Sequence, residues 1–160
     1  MRHETSHQRS QMMSSIRSRD TAPEMALRLR LHAMGFRYRL NVRRLPGSPD
    51  IVMSKYRAAI FVHGCFWHRH ADCKFTTTPK ANAQFWREKF QKNVERDQRD
   101  IDALRKEGWR VAVVWECATK FSADITAHAV AEWLGGHEPM LELGAADLQA
   151  SSTPNGADHS

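Results

Sequence analysis

The stretch Ala58-Ala59-Ile60-Phe61-Val62-His63-Gly64-Cys65-Phe66-Trp67-His68-Arg69-His70-Ala71-Asp72-Cys73 decides how this chain is read. Its first six residues form an apolar run that ends in a histidine, which predicts a buried strand. The loop beyond that strand has little aliphatic content of its own and needs a pin to hold a shape. Cys65, His70 and Cys73 are spaced Cys-x4-His-x2-Cys and can reach one ion from a folded loop. A closed tetrahedral site needs a fourth ligand, and Cys117, the one cysteine left, lies just past a later predicted strand. Three thiolates and one imidazole leave no open position, which suits a structural Zn2+ rather than a catalytic ion. The competing reading is three unrelated buried thiols and a surface histidine.

Upstream, the short link 54–57 predicts a hairpin between this strand and Asp50-Ile51-Val52-Met53. Leu45-Pro46-Gly47-Ser48-Pro49 reads as a turn, and Phe36, Tyr38 and Leu40 alternate with polar residues as in a half-exposed strand. Asp20-Thr21 offer a cap, Pro23 and Glu24 fit a first turn, and Gly35 a stop, so a helix is expected over about 22–34. Downstream, an irregular loop is expected over 64–80, then a helix over about 82–107. Phe85, Trp86, Phe90, Val94, Ile101 and Leu104 lie near one face of that helix. A strand over 109–115 and a helix over about 122–134 complete the pattern, and Gly135-Gly136 end the compact part. This order predicts a three-layer α/β fold with a mixed central β-sheet, because a helix between the third and fourth strands permits a parallel crossover. The expected organisation is a flexible basic arm over 1–19, one domain over 20–136 and a flexible acidic tail over 137–160.

The net charge of the 160 residues is +6, unevenly spread. Residues 1–44 carry ten arginines, among them Arg17 and Arg19, with no lysine and three acids; residues 136–160 carry four acids and no Lys or Arg. Arginine grips phosphate in a bidentate way, so the arm suits nucleic acid. Three cysteines, an odd number, argue against a closed disulfide set. The polar N-terminus is not a secretory signal, and no apolar run is long enough to span a bilayer. A cytoplasmic chain without membrane contact is expected.

Asp50 opens one strand of the hairpin and His63 ends the other, so both should lie at one edge of the sheet. A carboxylate there can hold a divalent ion that polarises a phosphate, although aspartate is also common at turns. If His70 binds zinc, His68 points elsewhere and becomes the best candidate for general acid/base chemistry. Glu24 in a first turn is accounted for by the helix dipole alone. Phe66 and Trp67 can wedge between base pairs or pack around the zinc; for Trp86, at a helix start, packing is the more usual fate.

Four motifs in order carry a resemblance. They are Leu45 to Asp50, His63 to His68, Lys92-Asn93-Val94-Glu95-Arg96-Asp97, and Gly108 to Val111 continuing through Val114-Trp115-Glu116-Cys117. Together they resemble the very-short-patch mismatch repair endonucleases, over about Ser10 to Trp133. The resemblance implies a restriction-endonuclease-like fold. It implies nicking of duplex DNA beside the thymine of a T:G mismatch left by 5-methylcytosine deamination, which starts a short repair. It makes Asp50 and the Val62 carbonyl the Mg2+ ligands, with His68 and His63 acting at the same phosphate and Glu24 touching the metal-bound water network. Cys65, His70, Cys73 and Cys117 match the zinc ligands. Phe66, Trp67 and Trp86 match the aromatics that enter the duplex, and the arm with Arg17 and Arg19 would clamp it. A monomer suffices for an asymmetric mismatch. Mismatch-repair proteins and a cognate DNA cytosine methyltransferase follow as candidate partners, and association with the nucleoid as the location. Val62 stands where the family often has threonine, and Ser48 where a basic residue is common. The rivals are a zinc-stabilised DNA-binding module without catalysis, a nuclease acting on matched DNA, and a metalloprotein unrelated to nucleic acid.

Overall fold

The computed structural model describes residues 20–152, which form one five-stranded mixed sheet with helices on both faces. The order is α1 (Ala22–Ala33), β1 (Arg39–Leu40), β2 (Ile51–Met53), a 3-10 turn (Ser54–Tyr56), β3 (Ala58–His63), α2 (Ala83–Lys106), β4 (Arg110–Trp115), α3 (Glu116–Gly135), β5 (Met140–Leu143) and α4 (Ala145–Ser152). The strands lie in the order β1-β2-β3-β4-β5. The first two pairings are antiparallel, Ile51 opposite Ile60, and the last two parallel, Val62 opposite Val114. The expected hairpin and crossover are both present. No helix among the described residues is long and apolar enough to cross a membrane.

Alternation along β3 sorts its side chains between two layers. Ala58 and Ile60 face α1 and α3, where Leu27, Leu31, Val130 and Trp133 complete the main core. Ala59 and Phe61 face Leu104 of α2. His63, two residues beyond Phe61, therefore faces α2 as well. Both faces of β3 and β4 are covered, which explains why these strands read as nearly unbroken apolar runs.

α1 starts where the sequence signals it: Thr21 is extended, and its Oγ1 accepts from the Glu24 N–H at 3.4 Å. The turn before β2 needs Gly47, whose φ is +74° and where a Cβ would stand 2.9 Å from the Cβ of Asp100.

Three expectations need correction. β1 pairs over two residues only, although Phe36 and Tyr38 do pack toward the core as their alternation suggested. α3 begins at Glu116 and is broken at Ser122 (φ −163°, ψ 111°); the Ser122 Oγ caps the Ile125 N–H at 3.1 Å, so the helix expected from 122 is the second half of a longer element. Nor is the stretch from 137 a tail throughout: β5 extends the sheet beside β4, and Leu143 and Leu148 are buried in the main core.

Candidate active site and metal centre

A cleft of about 910 Å³ opens where the start of α1, the turn before β2, the end of β3 and the middle of α2 meet. Glu24, Asp50, Val62, His63, His68 and Asp97 line it. The hairpin register puts Asp50 just beyond the paired part of β2, and its Oδ2 accepts the Val62 N–H at 2.7 Å. In a strand, a residue's N–H and C=O lie on the same edge, so the Val62 carbonyl is directed to the side of Asp50 too. Burial, opposed by the Val62 hydrogen bond and helped by the Glu24 charge, pushes the Asp50 pKa from 3.8 to about 7.

Glu24 is 2 % exposed, far more buried than a carboxylate that merely answers a helix dipole. Its Oε2 accepts the Asp20 N–H at 2.9 Å. Arg28 stands 3.5 Å from Oε1 as an ion pair, yet that oxygen has no hydrogen bond. Two carboxylates, one with an unsatisfied buried oxygen and one held near neutrality, together with a backbone carbonyl, form an all-oxygen set of the kind that hard divalent cations take.

His63 and His68 stack with ring centres 3.8 Å apart and planes 4° from parallel. Burial, and after it the charge of His68, lowers the His63 pKa from 6.5 to about 3, so His63 is neutral. The Nδ1 of His68 bonds Asp97 Oδ2 at 2.5 Å. Burial alone would raise the Asp97 pKa; the His68 hydrogen bond and charge outweigh it and hold the carboxyl below its usual range. The two histidines and Asp97 are close enough to suggest a metal site. Parallel stacked rings, however, aim their in-plane nitrogen lone pairs side by side rather than at one point, so the cluster suits proton transfer.

Asp97 is a site residue that sequence reasoning missed, though a signal was available. The inward stripe of α2 runs Trp86, Phe90, Asn93, Asp97, Ile101, Leu104 in steps of three and four, with Asp97 and Ile101 half-buried and Asn93 and Asp97 as polar interruptions. Phe85 and Val94, expected on that face, are instead 49 % and 45 % exposed.

The ligand atoms of Cys65, His70, Cys73 and Cys117 lie within 4.8 Å of one another. The His70 Nδ1 is 3.6 Å from the Cys65 sulfur and 3.5 Å from that of Cys117. Burial pushes the thiols of Cys65 and Cys117 up, so a cation is needed to hold them as thiolates. Thr76 Oγ1 bonds the carbonyls of Cys65 and His70, and His70 stacks on Trp115 at 4.3 Å. The supposed tail supplies the far wall: the Ala145 N–H donates to Cys117 Sγ at 3.3 Å, and Gly144 packs on the His70 ring. A Cβ on Gly144 would lie 2.6 Å from His70 Cε1. Gly144→Ala is expected to displace His70 and weaken metal retention about 10–100-fold in a chelator competition, the scale of other outer-shell losses.

Phe66 and Trp67 are half-buried over Trp86 and Phe90, with ring centres 5.1 to 6.1 Å apart. Asn93 Nδ2 bonds the Trp67 carbonyl at 3.3 Å. Trp86 is only 5 % exposed, so Phe66 and Trp67 offer surface while Trp86 supports them from below. Arg17 and Arg19 lie outside the described residues.

The family model for the DNA mismatch endonuclease Vsr matches residues 2–74. The DNA mismatch endonuclease Vsr of Escherichia coli (strain K12) is 47 % identical over 139 residues, covering 84 % of this chain and 88 % of that protein. The type II nicking enzyme V.XorIIP of Xanthomonas oryzae pv. oryzae is 50 % identical over 109 residues, covering 68 % and 79 %. V.NmeAIP of Neisseria meningitidis serogroup A is 48 % identical over 119, covering 74 % and 84 %. With the mixed sheet, the acidic cleft and the Cys/His cluster, these matches show that the chain belongs to the Vsr family of DNA mismatch endonucleases, with the restriction-endonuclease-like fold which that family implies.

Proposed function

We propose that this endonuclease nicks duplex DNA 5′ to the thymine of a T:G mismatch, with magnesium in the acidic cleft and structural zinc in the thiol cluster. The observation that carries the reading is the meeting of Asp50 and the Asp97-bound His68 in one cleft. Asp50, the Val62 carbonyl and, behind them, Glu24 would hold magnesium, which when bound supplies charge neutralisation at the phosphate. Asp97, kept ionised by His68, accepts the Nδ1–H of that ring and leaves the Nε2 lone pair free for the cleft. His68 is then set to take the proton of the attacking water. His63, neutral and stacked on it, offers a hydrogen bond to the same phosphate.

Phe66 and Trp67 supply the wedge, because a mismatched step costs less to open than a paired one. The segment 1–19 adds phosphate contacts through its arginines, Arg17 and Arg19 among them. The enzyme then works on chromosomal DNA in the cytoplasm, as a monomer.

A single-strand nicking assay on T:G and matched T:A duplexes, with magnesium and with chelator, tests the proposal. Nicking confined to T:G with magnesium is expected. Equal rates on T:A identify a nuclease for matched DNA, and tight binding without nicking identifies a binding module. Asp97→Asn should slow single-turnover nicking about 10²–10⁴-fold with DNA affinity unchanged, since an amide can donate to Nδ1 and fix the wrong tautomer.

A further inference from the structure

Arg69 sits between His68 and His70, and its side chain joins neither of their clusters. Its backbone is left-handed, with φ +56°, a region that residues with a Cβ seldom occupy. Such a conformation persists when its surroundings over-determine it, and here they do. The guanidinium lies 4.1 Å from the centre of the Phe90 ring and 5.8 Å from that of Phe66. Nη1 donates to the Thr77 carbonyl at 2.8 Å and, at 3.4 Å, to that of Phe66. Nη2 donates to Thr78 Oγ1 at 2.7 Å. Among the described residues no carboxylate ion-pairs with it.

The guanidinium therefore ties together the turn that carries Phe66 and Trp67, the loop segment around Thr77, and α2. Of the residues it touches, only Phe66 borders the cleft, and none is one of the four metal ligands. We propose that Arg69 is a positioning residue for mismatch discrimination: a strut that holds the Phe66–Trp67 wedge rigid against α2, so that the wedge enters a weak base step and is refused by a sound one. The proposal rests on the reading of these aromatics as the part that enters the duplex. Lysine cannot replace it, since an ammonium lacks the planar fork that bonds two partners while lying on a ring.

The test uses the full chain with zinc and a T:G duplex carrying 2-aminopurine beside the mismatch, whose fluorescence rises on unstacking. Arg69→Gly removes the strut and accepts φ +56° without strain; Arg69→Lys keeps the charge and the stem. Both are expected to keep bound zinc and the single-turnover nicking rate at saturating enzyme. Both should weaken T:G binding about tenfold or more, the scale of a lost stacking contact, lower the preference over T:A, and reduce the fluorescence rise. Wild-type binding, preference and fluorescence in both variants overturn the proposal. Loss of zinc in both overturns it too, because the residue then serves the metal loop. Phe66→Ala and Trp67→Ala separate the two ideas. If these keep the fluorescence rise, the wedge reading fails and the strut with it; if they lose it while the Arg69 variants keep it, the strut alone fails.

Discussion

Replacing Asp50 with asparagine is expected to stop nicking and, at the same time, to stabilise the magnesium-free protein. The two effects share one cause. Burial and the neighbouring Glu24 raise the Asp50 pKa from 3.8 to about 7, so the folded chain resists ionising this carboxyl. The folded state binds more protons than the unfolded state between those values. Stability attached to Asp50 is thus fully present below about pH 4 and is lost as pH rises through 7. At about 1.4 kcal/mol per tenfold change in proton affinity, the span from 3.8 to about 7 bounds the penalty above pH 7; allowing for relaxation and water, roughly 2–4 kcal/mol is reasonable. A neutral amide in the same place carries no such penalty. Thermal melts of the zinc-loaded protein without magnesium should show Asp50→Asn above wild type at about pH 8, with the difference vanishing near pH 4. Added magnesium should raise the wild-type melting temperature and leave the variant unmoved. Single-turnover nicking should fall by about 10³-fold or more, the scale of several kcal/mol of lost charge stabilisation. Equal melting temperatures under the alkaline condition would contradict the electrostatic account of the cleft.

A chain ended after Gly136 is expected to lose its metal and its fold together. Such a cut removes β5 and α4, the buried Leu143 and Leu148, the Ala145 N–H on Cys117 Sγ, and Glu142, which accepts the Trp115 indole N–H at 2.9 Å. Deleting one buried leucine side chain costs about 2–5 kcal/mol, so two already rival the whole stability of an ordinary domain. Insoluble or zinc-free protein is the expected product. A soluble, zinc-loaded chain ended at Gly136 would show that the C-terminal strand and helix are dispensable, as the sequence alone suggested.

That contrast marks how far local patterns reach in this chain. β3, α1 and α2 carry their signals locally, in an unbroken apolar run, a Thr-capped Pro-Glu first turn and a three-four repeat. The clustering of Cys65, His70, Cys73 and Cys117 was legible because thiols in a polar loop have few other uses. β5 was not: Met140-Leu141-Glu142-Leu143 is short and acidic, and comes soon after Gly135-Gly136. What makes it a strand is a parallel pairing with β4, a contact no local pattern encodes. The first half of α3 was hidden by the extended backbone of Ser122. Asp97 is a polar residue in an apolar stripe, visible by period but silent about its partner until α2 lay against the end of β3. Trp86, whose place at a helix start made packing its more usual fate, is 5 % exposed against Phe66 and Trp67.

The claim that the Asp50 cation site and the His68 imidazole serve the same phosphate is tested most directly by the single-turnover rate of His68→Ala on a T:G duplex at saturating enzyme and magnesium. A fall of at least about 10²-fold, with duplex affinity and zinc content intact, is the result the account requires. A rate within a few-fold of wild type would separate the imidazole from the chemistry and contradict it.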